Sequence, residues 1–301
     1  MSRVARNPLA VADERALPLL ARCLTGPVLR ALHQTGRSTY LTAAFQQAGV
    51  EEMLGRNATL LDAVLAIFDV LRRRYRADYV YRMAIATKLF LGRHSPASTS
   101  LLSELRVWRS RADLVMLNGT STAYEIKTEL DNLDRLKSQL DAYLKMFDLV
   151  YVVTCESQLP QLRAIIPPSV GIILLSQKFS FQTIHEVTSN AANIDIPTVI
   201  DALRLDELTQ LTRALCGTVP HTTRVRLVGE CAKLLVTQSP RRVHDEMVRL
   251  LKRRRVFTPE DFDAVPRELV PAYLESGLRV QAWPQLTQRL SSTQIGEVLA
   301  S

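Results

Sequence analysis

The chain has 301 residues, of which 47% are hydrophobic and 23% are charged. This composition is typical of a globular protein and excludes a chain that is disordered throughout. The formal charge of +8 at pH 7 favours a polyanionic partner such as nucleic acid, because Arg and Lys side chains neutralise phosphates and release their counterions. A protein that simply carries excess basic residues remains the alternative interpretation of the charge.

The sequence also predicts where the protein works. Residues 1–16 lack the apolar run of a signal peptide, and Asp62 and Asp69 interrupt the longest apolar run, residues 58–71. The four cysteines are far apart in the chain, without the spacing of a metal site, and are expected to be reduced thiols. These features predict a cytoplasmic protein that does not enter a membrane.

The predicted elements fall into three regions along the chain. Residues 13–96 have the apolar periodicity of helices, and the helical pattern returns after residue 190. Between them, β-branched and aromatic runs alternate with helical segments. The predicted strands are 103–108, 112–117, 122–128, 149–154 and 170–176, and the predicted helices between them are 133–147 and 159–166.

This order predicts an α/β fold with a mixed sheet that is covered on both faces. The predicted domain boundaries follow the change of pattern. A helical N-terminal region covers residues 1–77, the α/β core covers residues 78–190, and a helical C-terminal region covers residues 191–301.

A cluster of charged residues lies on two neighbouring predicted strands of the core. Asp113 is on the first strand, and Glu125 and Lys127 are two residues apart on the second, so that they share one face of the sheet. Two carboxylates and a lysine suit a hard divalent cation beside a phosphodiester, because Mg²⁺ prefers oxygen ligands and keeps several waters.

The turn between these strands provides a test of that site. A two-residue Asn118-Gly119 loop would place Asp113 and Glu125 on opposite faces of the hairpin. A loop of odd length, with Gly119 in a left-handed conformation, would place both carboxylates on one face. A common site therefore requires the odd-length turn or an equivalent bulge.

The helix after the hairpin carries Gln139 and Tyr143, which are one turn apart and share a face. The order Asp, Glu-x-Lys and Gln-x-x-x-Tyr resembles the active-site core of the PD-(D/E)xK nuclease superfamily, especially its RecB-like branch. Ala112 stands where many members have proline. Residues 75–95 and 103–107 also resemble an uncharacterised bacterial family within this superfamily.

The resemblance implies a restriction-endonuclease-like core flanked by the two helical regions. It implies a nuclease that depends on Mg²⁺ or Mn²⁺ and hydrolyses phosphodiester bonds in DNA, in bacterial defence or mobile-element biology. It also implies a set of metal ligands: Glu104, Asp113, Glu125 and the backbone carbonyl of Ile126. Lys127 would act on the attacking water, and Gln139 and Tyr143 would orient that water and the nucleic-acid strand.

The expected partner is nucleic acid, with DNA favoured over RNA. Phosphate contacts are predicted for Arg111 and Lys137 near the site, and for Arg73 and Arg74 in the N-terminal region. A homodimer, which double-strand cleavage by this fold commonly requires, and a separate protein partner are both left open. The sequence does not distinguish endonuclease from exonuclease activity.

Three alternatives accompany this interpretation. The charged residues on the second strand could form cross-strand ion pairs on an exposed face, and the chain could bind nucleic acid or a partner protein without cleaving anything. A third hypothesis is a helical adaptor within a larger complex. His244 and Asp245, on a predicted C-terminal helix, are expected to be an exposed polar pair.

Overall fold

A computed structural model of the protein describes residues 12–300. The first part of the described chain is helical, and a π-helical segment, Ile85–Phe90, lies between its last two α-helices. These helices are α1 (Leu17–Cys23), α2 (Gly26–Thr35), α3 (Thr39–Ala48), α4 (Val50–Leu54), α5 (Leu60–Arg74), α6 (Asp78–Ala84) and α7 (Leu91–Arg93).

The middle of the chain forms the sheet and two of the helices around it. Its elements are β1 (Ser100–Val107), β2 (Ser110–Asn118), β3 (Thr120–Lys127), α8 (Leu136–Leu144), β4 (Leu149–Thr154), α9 (Leu159–Ile165), β5 (Gly171–Leu175) and β6 (Phe181–His185). The remaining helices are α10 (Ile196–Ala202), α11 (Leu205–Cys216), α12 (Arg224–Leu235), α13 (Pro240–Lys252), α14 (Val270–Ser276), α15 (Ala282–Ser292) and α16 (Ile295–Leu299).

The six strands form one mixed sheet in which they stand in chain order. Strands β3, β4 and β5 run parallel to one another, whereas β1, β2 and β6 pair antiparallel with their neighbours. The predicted mixed α/β fold, with helices on its N- and C-terminal sides, is confirmed. The sequence did not predict β6, because this edge strand has no buried residue and lacks a clear apolar alternation.

The chain divides into two compact units, and the division differs from the three predicted regions 1–77, 78–190 and 191–301. One unit contains the residues up to 89 together with those from 258 onward, and the other contains residues 90–257. The C-terminal helices are therefore shared between the units: α10–α13 belong with the sheet, and α14–α16 with the N-terminal helices. Helical periodicity does not reveal this division, because it shows only that a helix has an apolar face and not what covers that face.

Helix α5, in the unit that contains the N-terminal helices, shows how the sequence determines where a helix begins. Its N-cap Thr59 accepts a hydrogen bond from the backbone N–H of Asp62, and the Asp62 carboxylate accepts one from the backbone N–H of Thr59. This capping box satisfies two backbone donors that would otherwise lack partners at the start of the helix. The helix then buries a continuous apolar stripe that includes Ile67 and Leu71.

The second unit has its core between the sheet and the helices on it. Val115 and Leu117 of β2 belong to the same buried apolar cluster as Tyr143 of α8 and Val243 and Met247 of α13. The sheet face that carries Asp113 is therefore covered by helices from both before and after residue 190. None of the helices in residues 12–300 has the length and apolarity required to cross a membrane.

Candidate functional site

The β2–β3 hairpin brings Asp113 and Glu125 to one face of the sheet. Asn118 pairs with Thr120 across the turn, and Gly119 between them has a φ of 71°. The register then runs without a shift to the pair Leu114–Tyr124, so that the next position places Asp113 opposite Glu125. The odd-length turn with a left-handed Gly119, which a common site requires, is therefore present.

Glu125 lies at the centre of the site and is only 1% exposed. Lys127, which shares its strand face, donates from Nζ to Glu125 Oε1 at 2.8 Å and to Gln139 Oε1 at 3.1 Å. From the helix above, the Tyr143 hydroxyl lies 2.7 Å from Glu125 Oε2. The alternative of cross-strand ion pairs on an exposed face is wrong for Glu125 and Lys127, because their ion pair lies within one strand and is buried.

Asp113 on β2 and Glu104 on β1 lie at facing positions of these two neighbouring strands. The Asp113 Oδ2 atom accepts a hydrogen bond from the backbone N–H of Ile126 at 2.8 Å. Glu104 faces Asp113 in the β1–β2 register, between the pairs Ser103–Leu114 and Leu105–Ala112. Its backbone has a φ of 55°, which is uncommon for a non-glycine residue and marks an irregularity of β1 at the edge of the site.

The electrostatics of the site depend on burial. Burial raises the pKa of Glu125 above its ordinary value, and the positive charge of Lys127 and the hydrogen bonds around the carboxylate only partly oppose the rise. Burial likewise raises the pKa of Tyr143, and the negative charges of Glu125 and Asp113 add to the increase.

The Tyr143 hydroxyl has one proton but two acceptors, since it also lies 2.7 Å from the backbone carbonyl of Arg111. A protonated Glu125 would donate to the tyrosine oxygen and leave the hydroxyl proton for Arg111. The Tyr143 hydroxyl can therefore serve both acceptors at once only when Glu125 is protonated.

The predicted metal ligands are only partly assembled. Within residues 12–300, no group of three or more His, Cys, Asp or Glu side chains is placed to hold a metal ion. The Glu104 carboxylate is 45% exposed and lies 3.9 Å from the Arg111 guanidinium. Asp113 and Glu125 remain as neighbouring carboxylates, and because Mg²⁺ needs only one or two carboxylates besides water, their donor chemistry fits that ion. A cation there would share the Glu125 oxygens with Lys127 and Tyr143.

The predicted phosphate contacts lie in both units. Arg111 is on β2 beside the site, and Lys137 is exposed in the first turn of α8. Arg73 and Arg74 are in the other unit, where Arg73 pairs with Asp69 at 3.0 Å and Arg74 donates to the carbonyl of Ala12 at 2.8 Å. The residues that accompany the site within its own unit are therefore Arg111 and Lys137.

Two features of this unit were missed or misread in the sequence. Trp108 was predicted as the last residue of the strand 103–108, but it lies at the tip of the β1–β2 hairpin and is 49% exposed. His244 is not an exposed residue, because it is 1% exposed and its Nε2 lies 2.8 Å from the hydroxyl of buried Ser121. Its partner Asp245 lies 3.1 Å from the other ring nitrogen.

Comparison with known proteins gives the family of the chain. Protein cII of Enterobacteria phage P4 is 30% identical over 79 residues, which are 26% of this chain and 30% of that protein, so the match spans less than a third of the relative. Among solved structures, a protein of unknown function from Silicibacter pomeroyi, SPO1766, is 14% identical, with a TM-score of 0.27 and coverage of 39% of this chain and 80% of its own. The family model described as bacteriophage P4 protein cII matches residues 72–262, which include every residue of the site described above. The chain belongs to this family.

Proposed function

We propose that the chain is a divalent-metal-dependent nuclease whose site contains Asp113, Glu125, Lys127, Gln139 and Tyr143. One observation carries the proposal. Lys127 of β3 and Tyr143 of α8 converge on the buried Glu125 carboxylate, Gln139 of α8 holds Lys127, and Asp113 of β2 stands at the strand position opposite Glu125, as the order Asp, Glu-x-Lys and Gln-x-x-x-Tyr requires. The family's phage member supports a role in mobile-element biology, and the proposed substrate is DNA in the cytoplasm.

Asp113 and Glu125 are the groups that would hold the cation. When bound, Mg²⁺ or Mn²⁺ would supply Lewis-acid activation of a water and stabilise the charge that develops on the phosphate. Two carboxylates on facing strand positions repel each other, and a cation between them would relieve that repulsion.

The remaining residues of the site position charge and protons. Lys127 is held by both Glu125 and Gln139, so its ammonium is a fixed positive charge beside the place that a phosphate would occupy. Tyr143 fixes the orientation of the Glu125 carboxylate from the opposite side. Gln139 would restrain Lys127 from the helix side through its hydrogen bond of 3.1 Å.

A second candidate is a binding protein that has the same fold but cuts nothing. The observation in its favour is that both Glu125 oxygens already have donors within the chain and that Lys127 compensates the charge. A buried ion pair of this kind can be purely structural. The exposed basic residues Arg111 and Lys137 would then bind nucleic acid or a partner protein without turnover.

Cleavage assays separate the two candidates. The full chain is incubated with linear, circular and single-stranded DNA in the presence of Mg²⁺ or Mn²⁺, beside the variants Asp113→Asn and Glu125→Gln. A nuclease should lose at least about 100-fold in rate in either variant, because each removes charge from the reacting centre. The matched control is Asp141→Asn, an exposed carboxylate on the same helix as Gln139 and Tyr143, which should cut like the wild type.

Gel-shift and melting experiments complete the test. Retention of DNA in the gel without cleavage by any form of the chain would favour the binding protein. Melting temperature should rise with added Mg²⁺ or Mn²⁺ in the wild type, because a ligand that binds only the folded chain stabilises it, and should rise less in Asp113→Asn. An identical melting curve across the metal titration would count against a cation at this pair.

A further inference from the structure

The β1–β2 hairpin ends in an exposed tryptophan. Trp108 is 49% exposed, and among the Phe, Tyr and Trp side chains of residues 12–300 it is the only exposed one. Its φ of 53° lies in the left-handed region, which is a costly conformation for a bulky residue. A ring at this turn adds little to a core and is accessible to a ligand.

The ring of Trp108 is surrounded by positive charge. The Arg109 guanidinium carbon lies 5.0 Å from the ring centroid, and Lys145 Nζ, just after α8, lies 5.1 Å from it. Arg106 donates from Nε to the Trp108 carbonyl at 3.2 Å, and Arg111 follows on β2. The turn and the end of α8 thus place two cations on the indole ring, and Arg106 and Arg111 lie on the two strands that lead into and out of the turn.

This hairpin tip is connected to the candidate site by two elements. Along β2, Ser110 at the base of the tip is three residues from Asp113, which corresponds to about 10 Å of extended strand. On α8, Tyr143 contacts Glu125, and Lys145 follows it by two positions. A nucleic-acid strand that contacts the tip would therefore extend towards Asp113 and Glu125 within a few nucleotides.

We infer that the Trp108 tip binds an unpaired base of a single-stranded nucleic acid. The indole supplies a stacking surface, and Arg109 and Lys145 would move from the ring to the phosphates on either side of the stacked base. A base within a duplex has no free face, so the tip selects single strands or frayed ends. This inference rests on the proposed function for its orientation towards the site, and it narrows the substrate class to strands with unpaired bases.

Tryptophan fluorescence tests the inference directly. The chain has two tryptophans, and Trp283 is fully buried, so a change in emission on binding reports Trp108. The full chain is titrated with a single-stranded oligothymidine and with a duplex of the same length, in EDTA so that no metal-dependent cutting occurs. We expect quenching by the single strand and much weaker quenching by the duplex.

Two variants test whether Trp108 contributes to the affinity for the single strand. Trp108→Gly should bind the single strand about 10-fold more weakly or worse, and Trp108→Phe should retain most of the affinity because phenylalanine still stacks. Glycine adopts the φ of Trp108 without strain, so the turn itself should survive the first substitution. The control is Val225→Ala, another exposed apolar residue of this unit, at 92% exposure, which should bind like the wild type.

Specific outcomes would overturn the inference. They are an unquenched Trp108, equal quenching by single strand and duplex, or wild-type affinity in Trp108→Gly. Failure of the nuclease proposal looks different: the single strand quenches Trp108 in EDTA, but no DNA is cut after Mg²⁺ is added. Conversely, a chain that cuts DNA in a Glu125-dependent manner without any effect of Trp108→Gly would leave the nuclease proposal in place and remove the stacking site.

Discussion

Glu125 and Lys127 form an ion pair that has little contact with water, since they are 1% and 8% exposed. Each charge is tolerated because the other lies 2.8 Å away and because Tyr143 and Gln139 complete their hydrogen bonds. Removing one partner of such a pair leaves an uncompensated buried charge, which strongly destabilises the folded state. The pair therefore makes the local stability sensitive to pH and to substitution.

Lys127→Met should make stability fall as the pH rises. The pKa of Glu125 is already raised above its ordinary value of 4.5, and loss of the opposing Lys127 charge raises it further. A group whose pKa is higher in the folded than in the unfolded state contributes stability below the unfolded pKa and loses it as the pH passes the folded pKa. Urea unfolding at pH 5 and pH 8 should therefore show a larger loss at pH 8, about 3 kcal/mol or more relative to wild type.

The double variant Glu125→Gln/Lys127→Met is the control for this experiment, because it has no buried charge left to titrate. Its loss of stability should differ little between the two pH values. An equal loss at both pH values in Lys127→Met alone would contradict the raised pKa of Glu125.

At the scale of elements, a large residue on β4 lies beside a small residue on the parallel strand β5. Tyr151 pairs with Gly171 across the two strands, and its ring stacks on that of Tyr124 with centroids 5.9 Å apart. A Cβ atom on Gly171 would lie 2.3 Å from the Tyr151 ring and 3.1 Å from Val187. Glycine at 171 is thus what allows the ring to lie flat over the strand.

Gly171→Ala should destabilise the chain by about 1–3 kcal/mol, because the added methyl forces the tyrosine ring out of its position. The matched substitution is Gly229→Ala in α12, where a Cβ meets no atom within 4 Å. That variant should gain about 0.5–1 kcal/mol, because alanine favours a helix interior over glycine. Denaturant unfolding measures both values, and equal stabilities of the two variants would refute the packing argument.

At the scale of the whole molecule, the sheet unit is closed by helices that lie beyond residue 190. Val199, Leu211 and Val243 of α10, α11 and α13 are fully buried in the same apolar cluster as Val115 of β2. A fragment that ends at residue 190 would leave this side of the sheet open to water. Exposed apolar surface of that extent favours aggregation or a loosely packed state.

A fragment of residues 90–257 should therefore unfold cooperatively in urea, whereas one of residues 90–190 should not. Near-ultraviolet circular dichroism and binding of a hydrophobic dye should separate a packed core from a loose one. Cooperative unfolding of the shorter fragment would mean that the sheet has a packed core without α10–α13.

Much of the fold could be predicted because local patterns are strong signals. The strand at 149–154 was predicted with its observed bounds, and the odd-length turn at Gly119 followed from the requirement that two carboxylates share a face. The helix that carries Gln139 and Tyr143 was also predicted, although it is shorter than residues 133–147. Turn geometry and side-chain periodicity are local, so the sequence carries them directly.

The sequence by itself determined which side chains share a face of α8 and which turn the β2–β3 hairpin needs if Asp113 and Glu125 are to share a face, and the structure decided between the two turns. Only the tertiary structure decided that the Glu125–Lys127 pair is buried, that Glu104 lies against Arg111, and that His244 bonds to Ser121 in the interior. It also decided that α14–α16 share a unit with the N-terminal helices. The physical reason is that burial and long-range partners depend on which surfaces cover one another, and no local period of the chain encodes that choice.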